Sequence, residues 1–225
     1  MCIPAAGSGT RMGGASKPFL TLRGEPLLHH ALKPFLAHPR VLEVVVALSA
    51  QDAVDPPAWL TTLDTRIRIV PGGATRAHSV LAALAALTQG VGIAMIHDAA
   101  RPLVSGPVID RCLDEVTPEL GVVAGWPAVD TLKEVDAGGE VLRTPDRSVH
   151  WHAQTPQAFD RRSLIRAYKR AIEMEVPLTD DAAVFAMNGG RVRMVKGERW
   201  NLKVTIPQDL VLAESLMTRA GGASS

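Results

Sequence analysis

Short apolar runs alternate along the chain with longer stretches in which apolar residues return every third or fourth position. The runs at 1–5, 42–49, 67–71, 92–97 and 121–126 read as strands. Helical periodicity covers 26–37, 74–87 and 106–116 between them, and 161–173, 180–187 and 208–216 after them. In the helix over 74–87, Val80, Leu81, Leu84 and Leu87 make a stripe suited to burial. This alternation predicts an α/β fold, a mostly parallel sheet flanked by helices.

Residues 127–149 break the rhythm. Alternating residues there flank Gly138 and Gly139, which predicts a β-hairpin whose face the parallel sheet cannot cover. A projecting hairpin suits a dimerisation arm; a flap folded on its own subunit is the alternative. Residues 1–219 are expected to form a single domain, with 127–149 as its arm and the small, polar 220–225 as a flexible tail.

Composition narrows the classes of function. Hydrophobic residues make up 47% of the 225 but aromatics only 4%, so the core must be aliphatic, as suits a parallel sheet. The net charge is +1 with no basic tract, which argues against a nucleic-acid polymer as partner. Cys2 and Cys112 are too few for a disulfide framework or a zinc site. No apolar run approaches the roughly 20 residues of a membrane span, and no secretory signal is visible, so a cytoplasmic location is expected. Trp151 and Trp200 read as packing residues, and His150 and His152 as structural ones.

The chemistry concentrates at strand ends. The first strand runs into Pro4-Ala-Ala-Gly-Ser-Gly-Thr-Arg-Met-Gly-Gly-Ala-Ser-Lys17, a glycine-rich turn carrying Arg11 and Lys17. Small residues let backbone N–H groups close on an anion, and the two cations neutralise it, so the turn reads as a triphosphate site, with an ordinary strand-to-helix turn carrying surface basic residues the alternative. Met12 stands where a dinucleotide fingerprint needs its third glycine, and no Gly-Lys-Ser/Thr follows as a P-loop requires. His97-Asp98-Ala99-Ala100-Arg101-Pro102 lies where open α/β sheets bind ligands. Asp98 can hold a hydroxyl or a magnesium ion, and Arg101 a phosphate; a local ion pair is the alternative. Pro71-Gly72-Gly73-Ala74-Thr75-Arg76 opens a helix, where Gly72 and Gly73 admit a flat base and Ser79 can bond its edge, unless the turn is a plain helix entry. Asp180-Asp181 reads as a helix start. Thr131, Arg147, Thr155, Thr179 and Lys203 are hydroxyls and cations scattered among apolar stretches.

In this order the motifs resemble those of the 2-C-methyl-D-erythritol 4-phosphate cytidylyltransferase family, from Pro4 to about Leu216. Ser16-Lys-Pro, Asp130-Thr-Leu-Lys, Gln154-Thr-Pro-Gln-Ala-Phe, Thr179-Asp-Asp-Ala and Asn201-Leu-Lys-Val-Thr complete the set. The resemblance implies a three-layer nucleotidyltransferase fold of Rossmann-like type, with the arm embracing a second subunit in a homodimer. It implies transfer of the cytidylyl group of CTP to methylerythritol phosphate, releasing pyrophosphate, in non-mevalonate isoprenoid biosynthesis. Arg11, Lys17 and Lys203 would be catalytic. CTP would lie against Pro4, Ala5, Ala6, Gly7, Ser8, Gly9, Gly73, Ser79, Asp98 and Ala99. The acceptor would meet Asp98, Arg101, Thr131, Arg147, Thr155, Thr179 and Lys203, some of them from the second subunit. Magnesium would arrive mainly on the CTP phosphates, with Asp98 the candidate protein ligand. His78 departs from the family, standing near the base site where an acid is frequent.

Two other readings stay open on sequence. A ribitol-5-phosphate cytidylyltransferase shares part of the motif set and differs only in the polyol. A non-catalytic nucleotide-binding regulator could keep the fold, although binding alone does not demand cations around a leaving pyrophosphate.

Overall fold

The structure, a computed structural model, describes residues 1–7, 17–176 and 178–221. The first half runs β1 (Cys2–Pro4), β2 (Thr21–Leu22), β3 (Glu25–Pro26), α1 (Leu27–Leu36), β4 (Val44–Leu48), α2 (Ala50–Val54), α3 (Ala58–Thr62), β5 (Ile67–Pro71), α4 (Arg76–Ala86), β6 (Ile93–Ile96) and α5 (Gly106–Glu115). The second runs β7 (Leu120–Pro127), β8 (Glu134–Val135), β9 (Val141–Arg143), β10 (Trp151–Asp160), α6 (Arg161–Glu173), α7 (Asp181–Met187), β11 (Arg191–Lys196) and α8 (Pro207–Gly221).

Seven strands form one sheet in the order β11-β7-β10-β6-β1-β4-β5. β10 runs antiparallel to both its neighbours, and the remaining pairs are parallel. Because successive strand residues face opposite ways, the aliphatic runs serve two cores at once. Ile3, Val44 and Val46 pack with Leu28, Phe35 and Ile109 from α1 and α5. Cys2, Val45 and Ala47 pack on the other face with Val80, Leu164 and Phe185 from α4, α6 and α7. The result is the expected three-layer, mostly parallel α/β architecture. A third cluster of Leu22, Leu27, Val204 and Ala213 fastens α8 beside the small β2–β3 sheet.

β8 and β9 pair antiparallel as a sheet of their own, so 127–149 does contain a hairpin. Gly139 turns it with φ at +86°, a backbone conformation that disfavours a side chain. Among the described elements, the two-residue strands β2 and β3 have no counterpart in the sequence pattern, and neither do α2, α3, β10 and β11. α2 and α3 are too short to show a period, and β11 is a strand with Arg191 and Arg193 on its exposed positions. β10 carries buried Gln154, Thr155 and Gln157, which hide it from a search for apolar runs. α8 reaches Gly221, so residues 220–221 of the expected tail are helical, and 222–225 lie outside the described residues. Trp151 and Trp200, expected to pack, are exposed. No helix among the described residues is long and apolar enough to cross a membrane.

Candidate active site

β1, β4, β5 and β6 run the same way, so their carboxyl ends share one edge of the sheet. The chain leaves β1 toward β4 and β5 on one side and returns to β6 on the other, which opens a crevice at the switch point. A cavity of about 560 Å³ lies there. Its described wall takes Pro4 to Gly7 from the end of β1, Lys17, residues 73–76 and Ser79 from the start of α4, Asp98 and Ala99 after β6, and Lys203. Ser8, Gly9 and Arg11 lie outside the described residues.

Close backbone packing shapes the nucleotide-side wall. The Ala5 N–H donates to the Ala47 carbonyl at 2.8 Å, and Gly72 N–H to the Leu48 carbonyl at 2.7 Å. A Cβ on Gly72 would stand 2.6 Å from the Ala6 Cβ and 2.8 Å from the Ser79 oxygen, so only glycine lets this turn meet the β1 loop. Ser79 is buried. Its hydroxyl accepts from Gly73 N–H at 3.1 Å and donates to the Thr75 carbonyl at 3.0 Å. Ser79 therefore reaches the wall with its hydroxyl engaged in shaping the turn. His78 N–H is taken by the capping Thr75 side chain.

Asp98 sits at the centre, with a side chain 12% exposed. Lys203 Nζ lies 2.7 Å from one of its oxygens and Arg76 Nη2 3.3 Å from the other. Burial pushes the Asp98 carboxyl up, but Arg76 and Lys203 outweigh it and hold the pKa well below the usual carboxylate range. Burial likewise opposes the Arg76 charge, and Asp181 and Asp98 outweigh it in turn, so its pKa rises.

The loop carrying Asp98 is fixed from below by β10. The Thr155 hydroxyl accepts from Asp98 N–H at 3.1 Å and pairs with His97 Nδ1 at 2.9 Å, while His97 Nε2 meets the Arg101 carbonyl at 3.0 Å. A carbonyl only accepts, so Nε2 carries the proton and Nδ1 receives the Thr155 hydroxyl. Buried Asn201 donates to the Thr155 carbonyl at 2.8 Å, and Val204 N–H to the Ala100 carbonyl at 2.8 Å, which brings Lys203 over the crevice.

Lys17, Asp98 and Lys203 thus share one wall with Pro4 to Gly7, Gly73, Ser79 and Ala99. Among the described residues, the other expected ones stand apart from that wall. Thr155 is buried beneath Asp98 instead of facing the crevice. Arg101 donates to the Asn201 carbonyl at 2.8 Å and the Ala153 carbonyl at 3.3 Å, fastening its loop to the Asn201 segment and to β10 instead of presenting its fork to the cavity. Thr179 is exposed just before α7, and Thr131 and Arg147 are exposed on the hairpin segment. Arg76 carries a contact that the sequence did not assign to it. The available signal was a cation in the first turn of a helix, where the dipole disfavours it.

A family model described as IspD: 2-C-methyl-D-erythritol 4-phosphate cytidylyltransferase matches residues 1–219. A protein of Symbiobacterium thermophilum with that activity in its name is 44% identical over 216 residues, 96% of this chain and 91% of its own length. One from Actinobacillus pleuropneumoniae is 40% identical over 219 residues, 96% of this chain and 95% of its own. The crystal structure of the Thermus thermophilus cytidylyltransferase superposes with a TM-score of 0.80 at 34% identity, covering 96% of this chain and 97% of that one. That of an Anaerococcus prevotii 4-diphosphocytidyl-2C-methyl-D-erythritol synthase gives 0.85 at 27% identity, over 96% and 94%. With a matching family model and relatives of this identity along nearly its whole length, the chain belongs to the 2-C-methyl-D-erythritol 4-phosphate cytidylyltransferase family.

Proposed function

We propose that the crevice transfers the cytidylyl group of CTP to 2-C-methyl-D-erythritol 4-phosphate, giving 4-diphosphocytidyl-2-C-methyl-D-erythritol and pyrophosphate in isoprenoid biosynthesis. The observation that carries this reading is the convergence of Lys17 and Lys203 with two closely packed glycine turns on one cavity at the switch point. The base lies against the Gly73 turn that Ser79 braces, and the triphosphate along Pro4 to Gly9. The acceptor's phosphate oxygen attacks the α-phosphorus, and pyrophosphate leaves in line. A phosphate monoester is already anionic at neutral pH, so the chain need not supply a general base. The obstacle is the meeting of two polyanions. Arg11, Lys17 and Lys203 lower it by placing positive charge where the transferring group gains negative charge.

The family's nucleotidyl chemistry calls for a divalent cation, magnesium in our reading. Among the described residues no group of three His, Cys, Asp or Glu side chains could hold a metal. Asp98 is the crevice's one described carboxylate, and Arg76 and Lys203 already flank it. That donor set fits an ion held chiefly by substrate phosphates, with Asp98 assisting. When bound, the ion neutralises phosphate oxygens.

Asp98 receives the acceptor's hydroxyls, with Arg101 and Thr155 holding its loop and Thr179 at the rim. Thr131 and Arg147 act across a homodimer, in which residues 1–219 form one domain and 127–149 the arm. The cytoplasm is the location consistent with a nucleotide substrate and two buried free thiols.

Pyrophosphate release with CTP and methylerythritol phosphate, ribitol phosphate or no acceptor tests the reaction. Release with methylerythritol phosphate alone is expected; release with ribitol phosphate alone would reassign the substrate. Lys17→Ala is expected to lower turnover by roughly a hundredfold or more, the scale of losing a charge-stabilising donor. Near-normal turnover would take Lys17 out of the mechanism.

A further inference from the structure

Arg76 is the first residue of α4, directly after the capping Thr75. A cation there meets the positive end of the helix dipole, so the position costs stability unless something else holds the charge. Two carboxylates do. Nη1 and Nη2 donate to Oδ1 and Oδ2 of Asp181 at 3.1 and 2.7 Å, a bidentate fork. Asp181 is fully buried and also accepts from the Tyr168 hydroxyl, so the anchor has little freedom. From that anchor Nη2 reaches Oδ1 of Asp98 at 3.3 Å, while Lys203 holds Oδ2.

We infer that Arg76 is a positioning residue of the transfer reaction: fastened to Asp181, it holds one oxygen of Asp98 and so fixes how that carboxylate meets the acceptor. The inference rests on the assignment of Asp98 to the acceptor. Arg76 lies within the turn that packs on the nucleotide side, and Asp181 opens the helix after Thr179, so one guanidinium joins the two halves of the crevice. Without it Asp98 keeps Lys203 as its close ion partner but loses the hold on Oδ1, and the carboxylate turns away from the acceptor. A lysine at 76 cannot do the same work. One ammonium on a flexible stem does not hold both oxygens of Asp181 and reach Asp98 in a fixed plane.

A purely structural role, neutralising buried Asp181, makes different demands. It predicts lower stability, no preference between the two substrates, and no dependence on Asp98. Steady-state kinetics with each substrate varied separate these roles in Asp98→Asn, Arg76→Gln, Arg76→Lys and the Arg76→Lys/Asp98→Asn pair. Arg76→Lys keeps a cation beside Asp181, so a folded protein is available even if Arg76→Gln fails to fold. Arg76→Lys is expected to raise the acceptor KM roughly tenfold while the CTP KM stays within about twofold, the scale of one hydrogen bond to a charged group. Added to Asp98→Asn, the same change is expected to cost nothing further, because its effect passes through that carboxylate. An unchanged acceptor KM, equal rises in both KM values, or the full loss recurring on top of Asp98→Asn overturns the inference. Normal acceptor binding by Asp98→Asn itself would instead remove Asp98 from the acceptor site, and the inference with it.

Discussion

His97 shows how a single buried ring can set the geometry of a site without touching a substrate. It is buried against Phe35, with ring centroids 4.9 Å apart, and both nitrogens are engaged as long as the ring is neutral. Burial, only partly opposed by the bond to the Arg101 carbonyl, lowers its pKa from 6.5 to about 4. The sign of the linkage follows. Above pH 6.5 the ring is neutral in both folded and unfolded chains. As pH falls from there toward 4, the unfolded chain takes the proton first, so folding stability drops, by about 3 kcal/mol across the window. Below pH 4 this residue costs nothing more. Urea unfolding at pH 7 and pH 4.5 is expected to show a smaller loss in His97→Gln than in the parent. Equal losses in the two proteins would mean that another group governs that range.

Among the elements, the turn from β5 into α4 is the most tightly specified. Ala6, Gly72 and Ser79 touch there, and a Cβ on Gly72 would also come within 3.0 Å of the Leu48 carbonyl. Backbone and a buried hydroxyl cannot give way cheaply, so Gly72→Ala should push the turn off the β1 loop. The expected result is a CTP KM raised about tenfold, the consequence of roughly 1–3 kcal/mol of overpacking at the base wall. Gly90→Ala, where nothing lies within 4 Å of the added carbon, serves as the control. An unchanged CTP KM in folded Gly72→Ala would detach this turn from the nucleotide. Elements whose residues serve only the core were legible in the sequence. β5 matches its expected span, α6 does too, and α5 differs by a residue, because their apolar periods are undisturbed. β10 was not legible, since Gln154, Thr155 and Gln157 are buried to hold the Glu198 turn, the Asp98 loop and the start of α7, respectively. The Arg76–Asp181 pair escaped for another reason. Each residue reads locally as a helix start, and their contact joins positions 105 apart.

At the scale of the whole molecule, the hairpin segment exposes a run of aliphatic side chains. Val135, Val141, Leu142 and Val149 are all exposed, Leu142 by 62% and Val149 by 74%. Among the described residues, β8 and β9 pair only with each other. Arg147 donates to the Val129 carbonyl at 2.6 Å, and neither it nor Thr131 lines the crevice of its own chain. In the proposed homodimer a second copy covers the apolar residues and receives both side chains at its crevice, an arrangement natural to a two-fold dimer. Shortening 135–142 to a Gly-Ser link should then reduce the solution mass from twice 24.0 kDa to a single subunit. Mass alone does not say whose Arg147 serves which site, but complementation does. Lys17→Ala and Arg147→Ala subunits are each expected to be inactive as homodimers. If Arg147 acts across the interface, a hybrid has one site with its own Lys17 and an intact Arg147 from the other chain. Random pairing of equal amounts would then restore about a quarter of the parental activity. If Arg147 serves its own crevice, every hybrid site lacks one of the two cations, and mixing the variants restores nothing.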